Sequence, residues 1–274
     1  MFIRATRAGL FCFKLFHHMK KKNLLATGQA LLTLALALLL LAQPVWAAAP
    51  RKVLVFSKTA KFRHSDGIPA GVQAIKQLGA EHKFAVEATE DAGVFTPENL
   101  KQYGAVIFMS TTGDVLDASQ QAAFEQYIRS GGGFVGIHAA TDTEYDWPWY
   151  GQLVGAYFGS HPPGQQEAVF KVENPNNIST RHLPATFKKT DELYNFKWIA
   201  EGLQVLVSID ENSYKGGKNG DFHPMSWYHD YDGGRAFYTG MGHDAKTFAE
   251  PLFLKHLLGG IEYALGKKPE AKLK

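Results

Sequence analysis

Gly131-Gly132-Gly133-Phe134-Val135-Gly136-Ile137-His138-Ala139-Ala140-Thr141-Asp142 carries three signals in one stretch. Glycines stop whatever precedes them, a short apolar run begins at once, and small and polar residues take over where that run ends. Upstream, residues 118 to 130 read as the helix that the glycines stop. Asp117 and Gln120 form a capping-box opening, and Phe124, Tyr127 and Ile128 make one apolar face. A helix, a glycine stop and a strand apolar on both faces form the repeating unit of a parallel sheet covered by helices.

The same unit recurs outward from this stretch. Residues 52–56, 84–89, 105–110 and 134–138 are strand candidates, and residues 68–78 show a helical face at Ile68, Val72, Ile75 and Leu78, behind Ser65 and Asp66 as caps. The second half is less regular. Residues 167–172 and 203–209 read as strands, residues 227–231 pair with 235–238 across Asp232-Gly233-Gly234 as a hairpin, and residues 248–265 make a closing helix. No linker or internal repeat interrupts the chain, so residues 48–274 are expected to form one α/β domain with a mainly parallel sheet.

The 274 residues carry a formal charge of +3, but Arg4, Arg7, Lys14, Lys20, Lys21 and Lys22 all precede residue 48. Residues 48–274 hold 23 basic against 26 acidic residues, which gives no basic surface for nucleic acid. The lysines, the apolar run 31–42 and Val45-Trp46-Ala47 read as a signal peptide over residues 1–47, with cleavage after Ala47 and Met19 as an alternative start. The apolar run is about 12 residues, short of the roughly 20 that span a bilayer. A periplasmic or secreted protein without a stable membrane anchor is therefore expected. The single cysteine, Cys12, lies in the cleaved part, which removes disulfide, thiol-nucleophile and Cys-zinc chemistry.

Ligands of open parallel sheets bind beyond the carboxyl ends of the strands. There the chain places residues 57–64, 110–114 and 138–142. His138 stands at a strand-to-helix elbow, where it could act as a general base or as a neutral metal ligand. His64, His161, His223 and His243 also sit in loops or strand ends, whereas His82, His182, His229 and His256 read as surface or helix histidines. Converging imidazoles suit zinc or another borderline divalent ion, though no HExxH spacing is present. Among the loop carboxylates Asp66, Asp114, Asp142, Asp191, Glu192 and Asp244, only Asp142 and Glu192 stand above the reading of solvated turn residues. Aromatic residues crowd the same loops, and Trp149 and Trp227 are the candidates for packing on sugar rings.

Six ordered motifs then resemble the ThuA-like, trehalose-utilisation family over about residues 53–265: Lys61-Phe62-Arg63-His64, the stretch from Gly132 to Asp142, Phe158-Gly159-Ser160-His161-Pro162, Asp191-Glu192-Leu193-Tyr194, His223-Pro224-Met225-Ser226-Trp227, and the stretch from Gly234 to His243. The resemblance implies a three-layer α/β/α, flavodoxin-like domain of the class I glutamine amidotransferase-like superfamily, with His138 in place of the elbow cysteine and hence no glutaminase activity. It also implies a small-molecule carbohydrate partner, through 3-oxo-glycosides, and no nucleotide cofactor is expected.

The leading expectation is an acid-base or metal-assisted lyase, hydrolase or isomerase on an oxidised sugar. His138, with His64 or Glu192, would move a proton beside the ketone. Arg63 would hold the enolate charge, or a metal on His64, His138, His161 and His243 would do so, while Asp142, Trp149 and Trp227 bind substrate. A non-catalytic periplasmic carbohydrate-binding protein is the alternative, and a metal-dependent hydrolase of other esters or amides is a third reading.

Overall fold

The computed structural model describes residues 51–270, so the expected export segment and Cys12 lie outside the described residues. In chain order the elements are β1 (Lys52–Phe56), α1 (Gly67–His82), β2 (Ala85–Thr89), α2 (Pro97–Leu100), β3 (Ala105–Met109), α3 (Ala118–Arg129), β4 (Gly133–Ile137), α4 (Pro148–Val154) and β5 (Ala156–Ser160). They continue with β6 (Gln166–Val172), β7 (Thr186–Asp191), β8 (Asn195–Ile199), β9 (Gln204–Ile209), β10 (His223–Tyr231), β11 (Gly234–Thr239) and α5 (Pro251–Ala264). Among the described residues, no helix is long and apolar enough to cross a membrane.

One nine-stranded sheet runs β2-β1-β3-β4-β11-β10-β9-β6-β7, with β5 and β8 paired separately. From β2 to β11 neighbours are parallel. β3 and β4 are buried at every position, as expected of strands covered on both faces. Helices α1 and α5 pack together against one face, and α3 and α4 against the other, giving the three layers. The connection from β1 leads outward to β2 through α1, whereas β3 leads the other way to β4 through α3. The chain therefore changes direction between β1 and β3, which opens a crevice at their carboxyl ends.

The capping box of α3 forms as expected: Asp117 accepts from the amides of Ser119 and Gln120, and the Gln120 side chain accepts from the Asp117 amide. The hairpin forms too, with Trp227 opposite Tyr238 and left-handed φ of 47° at Asp232 and 89° at Gly233, the pattern of a type I′ turn. Other boundaries differ. Helix α1 begins at Gly67 without a side-chain cap from Asp66, and α5 begins only at Pro251, because a proline lacks the amide to continue a helix from Phe248. Strands β5, β7 and β8 and the short α4 go beyond the sequence pattern, and β10 starts four residues early, at His223.

From β11 to β7 every pairing is antiparallel, so the sheet is parallel in one half and antiparallel in the other. Four strand spacings separate β11 from β7, about 19 Å along a flat sheet. Asp191, the last residue of β7, nevertheless hydrogen-bonds to Gly242 just beyond β11, at 3.1 Å. The antiparallel half curls back over the crevice, as strongly twisted sheets do, and brings its edge strand to the ends of the parallel strands.

Candidate metal centre

His138 follows β4 directly and opens a 3₁₀ turn over His138–Asp142. Its φ of 49° lies in the left-handed region, an uncommon state for a side-chain-bearing residue that turns the imidazole out of the strand. The elbow tolerates only small neighbours: a Cβ on Gly136 would stand 3.0 Å from the Tyr238 ring and 3.2 Å from the Ala140 methyl. Nδ1 of His138 donates to the Gly240 carbonyl at 2.8 Å, and the ring lies 4.3 Å from that of Tyr194. A neutral imidazole that donates through Nδ1 holds a lone pair on Nε2.

That Nε2 faces three further donors. His64 lies in the loop between β1 and α1, which is fastened to the end of β3 by Ala60 N–H to the Thr112 carbonyl (2.7 Å) and Thr112 Oγ1 to the Phe62 carbonyl (2.7 Å). Glu192 follows β7 and His243 follows β11. His138 Nε2 stands 3.2 Å from His64 Nε2, 3.3 Å from His243 Nδ1 and 3.4 Å from Glu192 Oε2. Glu192 Oε2 stands 3.2 Å from His243 Nδ1 and 3.9 Å from His64 Nε2. A tetrahedral ion with bonds of about 2.0–2.1 Å has donor-to-donor edges of about 3.3–3.4 Å. Five of the six edges are 3.2–3.9 Å and all four donor atoms lie within 4.8 Å of one another, so the set is compatible with zinc or a similar ion that draws His64 and His243 closer. The Nδ1–H bond to Gly240 is the outer-shell support that fixes the tautomer of a ligand histidine.

Burial and the neighbouring charges act differently on each donor. Burial pushes the Glu192 carboxyl up, but the surrounding imidazoles of His138, His243 and His64 outweigh it and hold the group well below the usual carboxylate range. Burial lowers His64, against the pull of Glu192, which favours the neutral, ligating form. The Glu192 carboxylate raises His243. Nδ1 of His64 is buried without a hydrogen-bond partner among the described residues.

His161, expected as a fourth imidazole ligand, stands outside this set, on the other carboxylate oxygen. Its Nδ1 lies 3.3 Å from Glu192 Oε1 and 2.7 Å from the Pro162 carbonyl, and 37% of its side chain is exposed. Glu192, expected to carry protons, takes the place among the donors instead. Asp142 lies beside the cluster, where its carboxylate accepts from Tyr145 Oη at 2.6 Å and is raised by burial. Lys197 and Lys61 reach over the same tyrosine ring, at 3.7 and 5.5 Å.

The remaining expected substrate contacts lie elsewhere. The Arg63 guanidinium grips Glu90 at 2.6 and 3.3 Å, so its charge is directed away from the imidazoles. Trp227 is fully buried, stacked on Tyr238 and donating to the Val154 carbonyl, and no sugar can reach it. Trp149 donates to Asp232 in the β10–β11 turn, at the rim opposite the centre. His256, read as a surface or helix residue, is a helix residue with no exposure. His223 is buried between Glu211 and the Tyr194 carbonyl, at 2.8 Å from each. A cavity of about 620 Å³ opens between Gly202, Tyr228, Arg235 and Lys267, at the start of β11 and away from the cluster.

Sequence reasoning misses the aromatic residue at the rim. Phe62 is 65% exposed and meets the His64 ring edge-on at 4.9 Å, on the loop fastened to β3. Its signal is present in the Lys-Phe-Arg-His motif, where an apolar residue between cations has no helical or strand face to fill.

Comparison with known proteins reaches the same region. A ThuA-like protein from Bacteroides uniformis is 25% identical, with 81% of this chain and 95% of that one covered at a TM-score of 0.69. One from Parabacteroides merdae is 21% identical, with 82% and 93% covered at 0.66. A beta-galactosidase from Bacillus circulans sp. alkalophilus contains a similar fold at 15% identity, covering 82% of this chain and 32% of that one at 0.50. Among curated proteins none matches this chain. The ThuA family, described as trehalose utilisation, matches residues 52–264, which include all four donors and His161, and the chain belongs to that family.

Proposed function

We propose that this chain is an exported, metal-dependent enzyme that moves a proton beside the ketone of an oxidised sugar, a 3-oxo-glycoside, in an elimination, hydrolysis or isomerisation. Membership of a trehalose-utilisation family supports the carbohydrate-related role. The observation that carries the metal reading is the convergence of the donor atoms of His64, His138, Glu192 and His243 to within 4.8 Å of one another, around a lone pair fixed by Gly240. With four protein donors, a divalent ion there would act as a Lewis acid toward a carbonyl oxygen only by taking that oxygen as an additional ligand.

The chain's own groups supply the rest. His161 is the best-placed proton carrier: its Nδ1 faces the Pro162 carbonyl and Glu192, which leaves Nε2 to accept a proton at the exposed rim. Asp142, raised by burial, and Tyr145 lie ready to bond sugar hydroxyls. Phe62 offers the rim its aromatic face. With this assignment the buried His138 and His64 hold rather than transfer.

The test is turnover of a 3-oxo-glycoside by zinc-loaded protein, by chelator-treated protein and by His161→Ala. The expected result is turnover only with metal, and a 10²- to 10⁴-fold lower kcat in the variant, of the order general-base removal costs. Saturable sugar binding without product under every metal condition would instead support a carbohydrate-binding protein.

A further inference from the structure

We infer that Asp191 is the positioning residue of this centre, a buried carboxylate that sets the separation of Glu192 and His243. The inference rests on the metal reading above. In sequence Asp191 reads as a solvated loop acid, yet its side chain has no exposure. Its Oδ1 accepts from the backbone amides of Glu192 (2.9 Å) and His243 (3.2 Å), and its Oδ2 from the amide of Gly242 (3.1 Å) and from Thr247 Oγ1 (3.3 Å). The ammonium of buried Lys189 lies 3.6 Å from Oδ2. A carboxylate has about four lone-pair sites, and here each meets a donor, as a buried charge requires.

Two of those four donors are the backbone amides of two candidate ligands. Glu192 leaves the edge strand β7 and His243 leaves the loop after β11, so no strand pairing joins them. Asp191 does so directly, through one carboxylate. Lys189 extends the tie, since its ammonium also bonds Thr247 Oγ1 (3.1 Å) and the Glu250 carboxylate (2.8 and 2.9 Å) at the start of α5. Moving the carboxylate would move both backbones, and with them the 3.2 Å between Glu192 Oε2 and His243 Nδ1. The group never touches the ion or substrate and acts through the ligands.

Asp191→Asn keeps the size but turns an N–H₂ toward amide donors, so it cannot accept on both sides. Zinc affinity by chelator competition should fall about 10- to 100-fold, the usual cost of losing an outer-shell partner. The visible bands of bound cobalt(II), which report ligand geometry, should weaken or shift while unfolding stays cooperative. Wild-type zinc affinity with unchanged cobalt bands would overturn the inference. Should Asp191→Asn not fold, Thr247→Val removes one donor to the carboxylate and spares the ligands: a several-fold loss of zinc affinity supports the tie, and none overturns it. If wild type binds neither ion, the metal reading fails by itself. The metal-free crystal structure of Asp191→Asn then decides: a widened Glu192–His243 separation supports the positioning role, and an unchanged one overturns it.

Discussion

The two halves of the sheet differ in how they are built and in what they give the centre. The parallel half, β2 to β11, has its inner strands β1, β3 and β4 buried on both faces and supplies His64, His138 and His243 from loops at its strand ends, where the general rule for open sheets puts ligands. The antiparallel half, β10 to β7, contributes one carboxylate, Glu192, and only by curling its edge strand over the crevice. The first set of donors is local to the scaffold's preferred site; the last is imported by sheet curvature.

The largest expected effect tests the parallel half alone. His138→Ala removes the atom that touches all three other donors, so the purified protein should lose its bound equivalent of zinc, as elemental analysis would show, and turnover should fall by more than the 10- to 100-fold expected for an outer-shell change. Retention of one equivalent would mean that the imported carboxylate and the two outer imidazoles suffice, and the comparison would break.

Trp227→Ala tests the seam between the halves. Its indole stacks on Tyr238 across the β10–β11 pair and is fully buried, so the truncation should cost about 3–5 kcal/mol in chemical denaturation. Trp149→Ala, at the partly exposed rim near the same hairpin, should cost about 1 kcal/mol. Equal losses would show that the seam is no firmer than the rim.

A smaller effect comes from α5, which lies under β11 and β4. Burial lowers the His256 imidazole to about 4, against a hydrogen bond with the Ser179 carbonyl. Its folded value is depressed, so the unfolded chain binds the extra proton. Stability is then complete above about 6.5, falls as pH drops toward 4, and is about 2 kcal/mol lower at pH 5 than at pH 7 from this group. His256→Gln should flatten that part of the curve. An unchanged slope would place the acid sensitivity elsewhere.

The smallest effect concerns the rim. Phe62→Ala should leave unfolding within about 0.5 kcal/mol of wild type, because the side chain is mostly exposed. It should nonetheless weaken sugar binding about 5-fold in calorimetry, near 1 kcal/mol, as loss of an aromatic face does. Unchanged binding would remove the residue from the substrate path.

Legibility in the sequence divides along the same line. β3 and β4 are continuous apolar runs because both faces are buried, and their ends point to His138 directly. β7, Thr-Phe-Lys-Lys-Thr-Asp, is polar at every position but Phe187, as an edge strand can be, and carries Lys188 outward and Lys189 inward. No pattern marks a buried lysine until its partners Glu250, Thr247 and Asp191 are seen around it. Glu192 and the histidines can be named from chemistry and resemblance, but their division into donors and a proton carrier depends on which carboxylate oxygen faces which ring. The tryptophans lie away from their expected places because bulk and loop position say nothing about which side of a sheet a side chain enters.

The elbow at His138 has a consequence for the order in which this protein assembles. The donors stand at positions 64, 138, 192 and 243, from near the first described strand to just before the last helix. Contacts of such long sequence separation close late, after the local helices and parallel pairs. A chain still emerging from its synthesis cannot assemble the four-fold set before its final quarter is available. Metal capture would thus report a finished fold, and a truncated or misfolded copy would be distinguished by the ion it fails to hold.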